Sequence, residues 1–268
     1  MKIISVVRDF EMYNRLVKDN PFNKEAEFIC FNNNEENLSI SKRYNSFLDS
    51  YDYNNEDWFV FCHEDWEVKE NLQNRLNEID KDCLYGPIGA NWRYSFAQGV
   101  GYIYHSNRDG SDLQVTGLKG YNLKQANTFD CQCLIVHSSL VKKYGLRFDE
   151  NLTFDLYVED FCINASEKHK IISKILQLDC QHWSKGKVTE RWYKQFDYLK
   201  TKYNNTKRIY IGTCFMDKTI GKNFKEVFLY KLRYQRNRLF RFFYQKKITH
   251  SNKIILKICK IPFYLRKN

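Results

Sequence analysis

Asp57-Trp58-Phe59-Val60-Phe61-Cys62-His63-Glu64-Asp65 is the stretch that decides the fold, because an apolar run ends there in three polar residues. The run is short, aromatic and β-branched, which predicts a buried strand. We expect the three polar residues to lie at the carboxyl end of that strand, where open α/β sheets bind ligands. A carboxylate held there can bind a divalent cation that bridges phosphate oxygens. The alternative is an ordinary strand end followed by an acidic turn.

The first 65 residues alternate between strand-like and helix-like patterns. Strands are predicted at residues 3–7 and 27–31, and helices over 10–19 and 39–51, before the strand that ends at Cys62. Such alternation is typical of a parallel sheet flanked by helices. The elements expected further along are a helix over 68–79, a binding loop region or small antiparallel insert over 91–128, a helix over 158–168 and a strand over 171–180.

The positive charge is concentrated at the C-terminus. Residues 222–268 hold 14 Lys and Arg against one acidic residue, a net of +13 in a chain whose total is +11. We therefore divide the chain into a main domain at residues 1–220 and a basic, amphipathic helical region at 221–268. Basic residues interleaved with large apolar ones suit an anionic membrane surface, or a helical cap that packs on the main domain. Nucleic acid is the other anionic partner, and the lack of a known RNA-binding motif argues against it.

The cysteines and the apolar runs bear on the cellular compartment. The nine cysteines include no Cys-x-x-Cys pair, which argues against a zinc ribbon. Several lie in apolar runs, as expected of reduced cysteines in the cytoplasm. The N-terminus does not have the pattern of a signal peptide, and no stretch approaches the roughly 18 consecutive apolar residues of a spanning helix. We expect a cytoplasmic protein.

A second group of polar residues supplies candidates for acid–base chemistry. Asp155 precedes a predicted helix, and Glu159 and Asp160 lie at its start. Acidic residues are favoured in a first turn by the helix dipole, so this pair is either an ordinary helix start or a general base that faces the crevice of Asp65. His182 lies at the polar end of the strand predicted over 171–180, and its imidazole can complete a metal site.

With these residues in place, the chain resembles the inverting family 2-like glycosyltransferases of the GT-A fold, in the bacterial branch whose metal motif reads His-x-Asp instead of Asp-x-Asp. The resemblance covers residues 1–190. The motifs that carry it are Tyr44-Asn45, Trp58 to Asp65, Gly86-Pro87-Ile88-Gly89, Phe129-Asp130, Phe148-Asp149-Glu150, Glu159-Asp160 and His182.

The resemblance implies a fold, a reaction and a location. The fold is α/β, with a mostly parallel central sheet flanked by helices and, in this chain, a helical basic C-terminal extension. The reaction is metal-dependent and inverting. It moves a sugar from a nucleotide-diphosphate sugar donor to a glycan or lipid-linked glycan acceptor, in the synthesis of bacterial surface polysaccharide or lipopolysaccharide. The enzyme would be peripheral on the inner face of the cell membrane.

The resemblance also implies residue roles. Asp65 and His182 would bind a divalent cation, Mn²⁺ or Mg²⁺, and Asp160, Glu159 or Asp155 would act as the general base. The candidates for contact with the donor nucleotide are Val7, Asn32, Asn33, Asn45, His63 and Glu64. The candidates for contact with the acceptor or the sugar are Trp92 and Asp130.

Two alternatives stay open. One is another nucleotide-using α/β enzyme, such as a nucleotidyltransferase, although neither Gly-x-Gly-x-x-Gly nor a P-loop is present. The other is a non-catalytic binding protein with a degenerate GT-A fold. It is favoured by the run Asn32-Asn33-Asn34, where the family usually carries aspartates.

Overall fold

The computed structural model describes residues 1–93, 96–185 and 189–204, together with the backbone of three strands between residues 244 and 265. The chain divides into two units, Met1–Asp217 and Lys218–Asn268.

The first unit is a mixed α/β structure. Its strands are β1 (Lys2–Val7), β2 (Glu27–Asn32), β3 (Trp58–Cys62), β4 (Trp66–Val68), β5 (Cys83–Gly86), β6 (Ile88–Arg93), β7 (Phe96–His105), β8 (Gln114–Leu118), β9 (Gln125–Ala126), β10 (Thr128–Phe129), β11 (Cys133–His137), β12 (Ile172–Ile175) and β13 (Cys180–His182). Its α-helices are α1 (Phe10–Tyr13), α2 (Ile40–Ser50), α3 (Leu72–Leu76), α4 (Ser138–Tyr144), α5 (Tyr157–His169) and α6 (Glu190–Lys202). A π-helical segment, Asn14–Lys18, continues α1, and a short 3₁₀ turn spans Pro21–Asn23.

The larger sheet has seven strands in the order β2-β1-β3-β11-β5-β12-β9. Strands β1, β2, β3, β5 and β12 run in one direction, and β11 and β9 run in the other. The alternation predicted for the first 65 residues is confirmed, since β1, β2 and β3 are parallel neighbours with α1 and α2 between them. The carboxyl ends of these three strands therefore lie at one edge of the sheet.

A smaller sheet has the order β10-β6-β7-β13-β4, with β8 paired to β7. β6, β7 and β8 are antiparallel, so the segment 91–128 contains the small antiparallel insert that the sequence predicts. β13 runs parallel to β7 and antiparallel to β4. Because β4 follows β3 after a short turn, the smaller sheet begins beside the carboxyl end of β3.

Strand β3 lies in the core with helices packed on both faces. Phe59 and Phe61 pack in a cluster with Phe47 of α2, and Val60 packs in a second cluster with Leu16. All five side chains of the strand are buried, as its apolar sequence predicts. Burial of an aromatic or aliphatic side chain contributes about 1.5–3 kcal/mol, so this strand is a rigid support for the polar residues that follow it.

Two predicted elements differ from the structure. The helix predicted over 68–79 is reduced to α3, because β4 extends to Val68 and the Asn71 side chain then caps a new helix by accepting from the amide of Asn74. The strand predicted over 171–180 is two strands, β12 and β13, which belong to different sheets. The second difference decides where His182 lies.

The second unit contains an antiparallel three-stranded sheet of β14 (Tyr244–Ile248), β15 (Ile254–Ile258) and β16 (Ile261–Leu265). The prediction of helices over 221–268 is wrong for these strands. Their sequence is rich in isoleucine, whose β-branched side chain favours strands over helices. The rest of that predicted helical region lies outside the described residues.

Candidate metal centre and its surroundings

Three metal-ligating side chains meet after the carboxyl end of β3. His63, Asp65 and His182 each offer one ligand atom, and these atoms lie within 4.8 Å of one another. Oδ1 of Asp65 lies 3.1 Å from Nε2 of His182 and 4.0 Å from Nδ1 of His63. We call these residues the candidate triad. The structure thus brings together the two metal ligands expected from the sequence and adds His63 to them.

Strand pairing explains how residues so far apart in sequence meet. Residues 63–66 form a tight turn, in which the amide of Trp66 donates to the carbonyl of His63 at 3.2 Å. β13 then pairs with β4 and places His182 opposite Trp66. The same strand pairs with β7 and places His182 opposite His105, with ring centroids 5.4 Å apart. Two sheet registers therefore fix His182 beside Asp65.

The charges of the candidate triad are set by burial and by one another. Burial alone would raise the pKa of Asp65, but His182 and His63 lower it below its usual range. Burial lowers the pKa of His63 to about 4. Burial also acts to lower the pKa of His182, but Asp65 outweighs it and raises that pKa above its usual value. At neutral pH the cluster therefore holds an ionised carboxylate and a neutral His63.

A first-row divalent cation fits this set of donor atoms. Imidazole nitrogens and carboxylate oxygens are common ligands of such ions. The nitrogen of His182 that faces Asp65 is Nε2, which lies 3.1 Å from Oδ1 of the carboxylate. The carboxylate, the neutral ring of His63 and Nε2 of His182 together form a set of donor atoms that a metal ion can bind.

Glu159 lies in the first turn of α5 and is only 1% exposed. The thiol of Cys131 donates to its Oε2 at 2.9 Å. Burial, with the nearby carboxylates of Asp130 and Asp155, raises the pKa of Glu159 to about 8. A carboxyl whose pKa is close to neutral is suited to proton transfer.

Asp160, the next residue, is engaged elsewhere. Its Oδ1 accepts from Nζ of Lys202 and from the hydroxyl of Tyr203, both at 2.7 Å. Lys202 also donates to Asp149 at 2.6 Å. Asp160 is fully buried, so its contacts join α5 to the end of α6.

Asp155 lies in the loop before α5 and is half-buried. Its Oδ2 accepts from Nε of Arg191 at 2.6 Å. The neighbouring Phe154 is 44% exposed, and its ring stacks on that of His63 with centroids 6.0 Å apart. The guanidinium of Arg191 lies 4.4 Å from the centroid of the same phenyl ring. This loop therefore carries a carboxylate that is close enough to His63 to act on the pKa of its ring.

Glu64 holds the turn after β1. Its Oε2 accepts from the amides of Arg8 and Asp9, at 2.6 Å and 3.0 Å. Arg108 lies 3.7 Å from the same carboxylate and donates to Asp9 at 2.9 Å. These contacts occupy Glu64 with the protein's own backbone and with one arginine.

The four other donor-side candidates all have contacts within the protein. Val7 is a buried strand residue opposite Asn32. The side chain of Asn33 exchanges hydrogen bonds with the backbone of Leu38. The side chain of Asn45 does the same with the backbone of Phe148. Asn32 is exposed, and its Oδ1 accepts from the amide of Asn34.

The two acceptor-side candidates differ in what is described. Asp130 is half-buried and close enough to raise the pKa of His63, His182 and Glu159, so it belongs to the surroundings of the candidate triad. Trp92 is placed by its backbone near the end of β6, opposite Ala97 of β7, and its side chain lies outside the described part of the chain.

Three residues beside the triad are not identified by the sequence. They are His105, Cys131 and Tyr157, whose hydroxyl lies 2.9 Å from Nε2 of His63. His105 ends the long strand β7, and a polar end of a strand is the signal that could have found it. Tyr157 and Cys131 carry no comparable signal, because both lie in mainly apolar segments.

Comparisons with known proteins give only weak likenesses. No protein-family model matches the sequence, and no curated protein matches it. Among solved structures, HddC from Yersinia pseudotuberculosis is 12% identical with a TM-score of 0.32, over 74% of this chain and 78% of that one. The inositol-1-phosphate CTP transferase from T. maritima is 11% identical with a TM-score of 0.33, over 74% of this chain and 96% of that one. Both TM-scores are below 0.5, and no conclusion about function is drawn from them.

Among the described residues, none of the helices has both the length and the apolar character needed to cross a bilayer.

Proposed function

We propose that this chain is a metal-dependent inverting glycosyltransferase that moves a sugar from a nucleotide-diphosphate sugar to a glycan or lipid-linked glycan acceptor. The observation that carries the proposal is the candidate triad of His63, Asp65 and His182 after the carboxyl end of β3. Asp155, a carboxyl group that can take a proton as such a transfer requires, is close enough to His63 to act on its pKa. The His-x-Asp motif and its neighbours in sequence, which resemble this class of enzyme, point to the same reaction.

The candidate triad would hold the cation. Two imidazoles and one carboxylate favour Mn²⁺ over Mg²⁺, because Mg²⁺ prefers an all-oxygen shell with several waters. When bound, the cation would supply Lewis-acid stabilisation of the nucleoside diphosphate that leaves. The ionised Asp65 would contribute the negative charge of the site, and the neutral His63 would contribute a nitrogen lone pair.

Asp155 is our choice for the general base. It is half-buried and close enough to His63 to act on the pKa of that ring, whereas Asp160 is fully buried and bonded to Lys202 and Tyr203. Asp155 would take the proton of an acceptor hydroxyl while that oxygen bonds to the anomeric carbon and the bond to the diphosphate breaks. One displacement inverts the anomeric carbon. Glu159, with its raised pKa, is the second candidate, and the neutral variants Asp155→Asn and Glu159→Gln would separate the two.

We also propose that the basic region at 221–268 binds the inner face of the cell membrane. The support is its charge, a net of +13 over residues 222–268, since each basic residue near an anionic surface contributes on the order of 1 kcal/mol. Co-sedimentation of the full chain with phosphatidylserine-containing vesicles, and none with phosphatidylcholine vesicles, would support this location. If the protein sediments with neither kind of vesicle, this location is excluded.

The test of the reaction is identification of the leaving group. The full chain is incubated with Mn²⁺ and a panel of nucleotide sugars, with glycan acceptors present, and products are followed by mass spectrometry and NMR. We expect release of a nucleoside diphosphate and a product of inverted anomeric configuration, both lost in Asp65→Ala. Formation of pyrophosphate from a nucleoside triphosphate and a sugar phosphate would identify a nucleotidyltransferase instead. Donor binding without any turnover would indicate a non-catalytic protein.

A further inference from the structure

Tyr157 contacts His63 of the candidate triad and follows a residue with a positive φ. It is the first residue of α5 and is fully buried. Leu156 before it has a φ of +62°, in the left-handed region that a leucine rarely adopts, and offers no side-chain cap to the helix. This turn sets the direction in which α5 starts, and therefore where the ring of Tyr157 lies.

The hydrogen bonds of Tyr157 fix the position of a proton on His63. The tyrosine hydroxyl lies 2.7 Å from the main-chain carbonyl of Cys131, which can only accept. The single hydroxyl proton is therefore donated to that carbonyl. The same oxygen lies 2.9 Å from Nε2 of His63, so it must accept there, and Nε2 must carry the hydrogen.

The other nitrogen of His63 is then free to bind a metal. In a neutral imidazole only one nitrogen carries a hydrogen, so Nδ1 has a lone pair. Nδ1 is the atom that lies 4.0 Å from Oδ1 of Asp65. Contacts with the rings of Tyr44 and Phe148, each with centroids 6.0 Å away, hold the ring of Tyr157 in place.

We infer that Tyr157 is a positioning residue that holds His63 in the Nε2–H tautomer and so presents Nδ1 to the metal. Such outer partners of ligating histidines typically change metal affinity by about 10- to 100-fold. Because this role presupposes the metal centre of the proposed function, its test must succeed or fail apart from transferase activity.

The first experiment needs no metal and no substrate. Long-range ¹H–¹⁵N correlation spectra of ¹⁵N-histidine-labelled, metal-free protein report the tautomer of each ring, and the His63 signals are assigned by their loss in His63→Gln. We expect His63 to be the Nε2–H tautomer in the wild type and a mixture in Tyr157→Phe. The inference is overturned if the wild-type ring carries its hydrogen on Nδ1.

The second experiment measures Mn²⁺ affinity by electron paramagnetic resonance. We expect Tyr157→Phe to bind Mn²⁺ about 10- to 100-fold more weakly than the wild type. The matched control is Tyr85→Phe, which removes a buried hydroxyl that donates to the carbonyl of Asp80 at 3.0 Å, and it should keep wild-type affinity. Equal affinity of Tyr157→Phe and wild type would refute the role of Tyr157. Failure of the wild type to bind Mn²⁺ would refute the metal centre and with it the role of Tyr157, even if the tautomer is as expected.

Discussion

The Sγ atom of Cys131 lies 2.9 Å from Oε2 of Glu159, and its thiol donates to that buried carboxyl. The carbonyl of the same cysteine accepts from Tyr157, which contacts His63. One residue in front of β11 therefore contacts both the candidate proton-transfer group and the support of the candidate metal centre. The two parts of the site are joined through the start of α5.

Removal of the Cys131 thiol should destabilise the protein. In Cys131→Ala the carboxyl of Glu159 loses a donor in a buried site, which costs about 1–3 kcal/mol. Urea unfolding would measure the difference. Cys133→Ala is the control, because Cys133 is a buried residue of the apolar core and lacks a described carboxyl partner. Equal losses in the two variants would show that the bond to Glu159 adds nothing.

The raised pKa of Glu159 predicts a pH-dependent stability. Burial and nearby carboxylates raise it from 4.5 to about 8, so the folded state favours the protonated carboxyl. Its contribution is fully present below about pH 4.5 and is lost as pH rises through about pH 8. Each pKa unit corresponds to about 1.4 kcal/mol.

Glu159→Gln should remove this dependence. We expect the unfolding free energy of the wild type to fall relative to that of Glu159→Gln between about pH 5 and about pH 9. Urea denaturation across that range checks it. Two curves that run parallel would mean that Glu159 titrates normally in the folded protein.

Lys202→Met should break the link between α5 and α6. The fully buried Asp160 would then keep its charge without a cation, which costs about 3–5 kcal/mol when both partners are buried and less here because Lys202 is partly exposed. Thermal and urea unfolding would measure the loss. The double variant Asp160→Asn/Lys202→Met should recover part of it, and an additive result would contradict a direct interaction.

The sequence predicts the part of the site that belongs to one segment. Five apolar residues followed by His63-Glu64-Asp65 predict a strand with a polar carboxyl end, and β3 ends at Cys62 as expected. Local pattern suffices there because the strand is buried on both faces. The sequence does not predict that Glu64 would accept from the amides of Arg8 and Asp9, since that contact depends on the neighbouring strand β1.

The remaining features depend on contacts between distant segments. His182 meets Asp65 because β13 pairs with β4. The sequence predicts one strand over 171–180 and does not separate β13 from β12. Asp160 and Glu159 look alike in sequence, but their partners come from different distant segments. Asp160 accepts from Lys202 at the end of α6, and Glu159 accepts from Cys131, which precedes β11. The helices predicted for the basic region are wrong at β14, β15 and β16. The isoleucines of these segments favour strands, and periodicity alone does not distinguish a short apolar strand from a helix.

The most direct test of the central claim is the affinity of the full chain for Mn²⁺, measured by electron paramagnetic resonance in the wild type and in Asp65→Ala. Asp197→Ala, which removes an exposed carboxylate of α6, is the control. We predict one tight site in the wild type and in the control, weakened at least about tenfold in Asp65→Ala. Equal binding by Asp65→Ala, or no binding by the wild type, would contradict the assignment of His63, Asp65 and His182 as the metal centre.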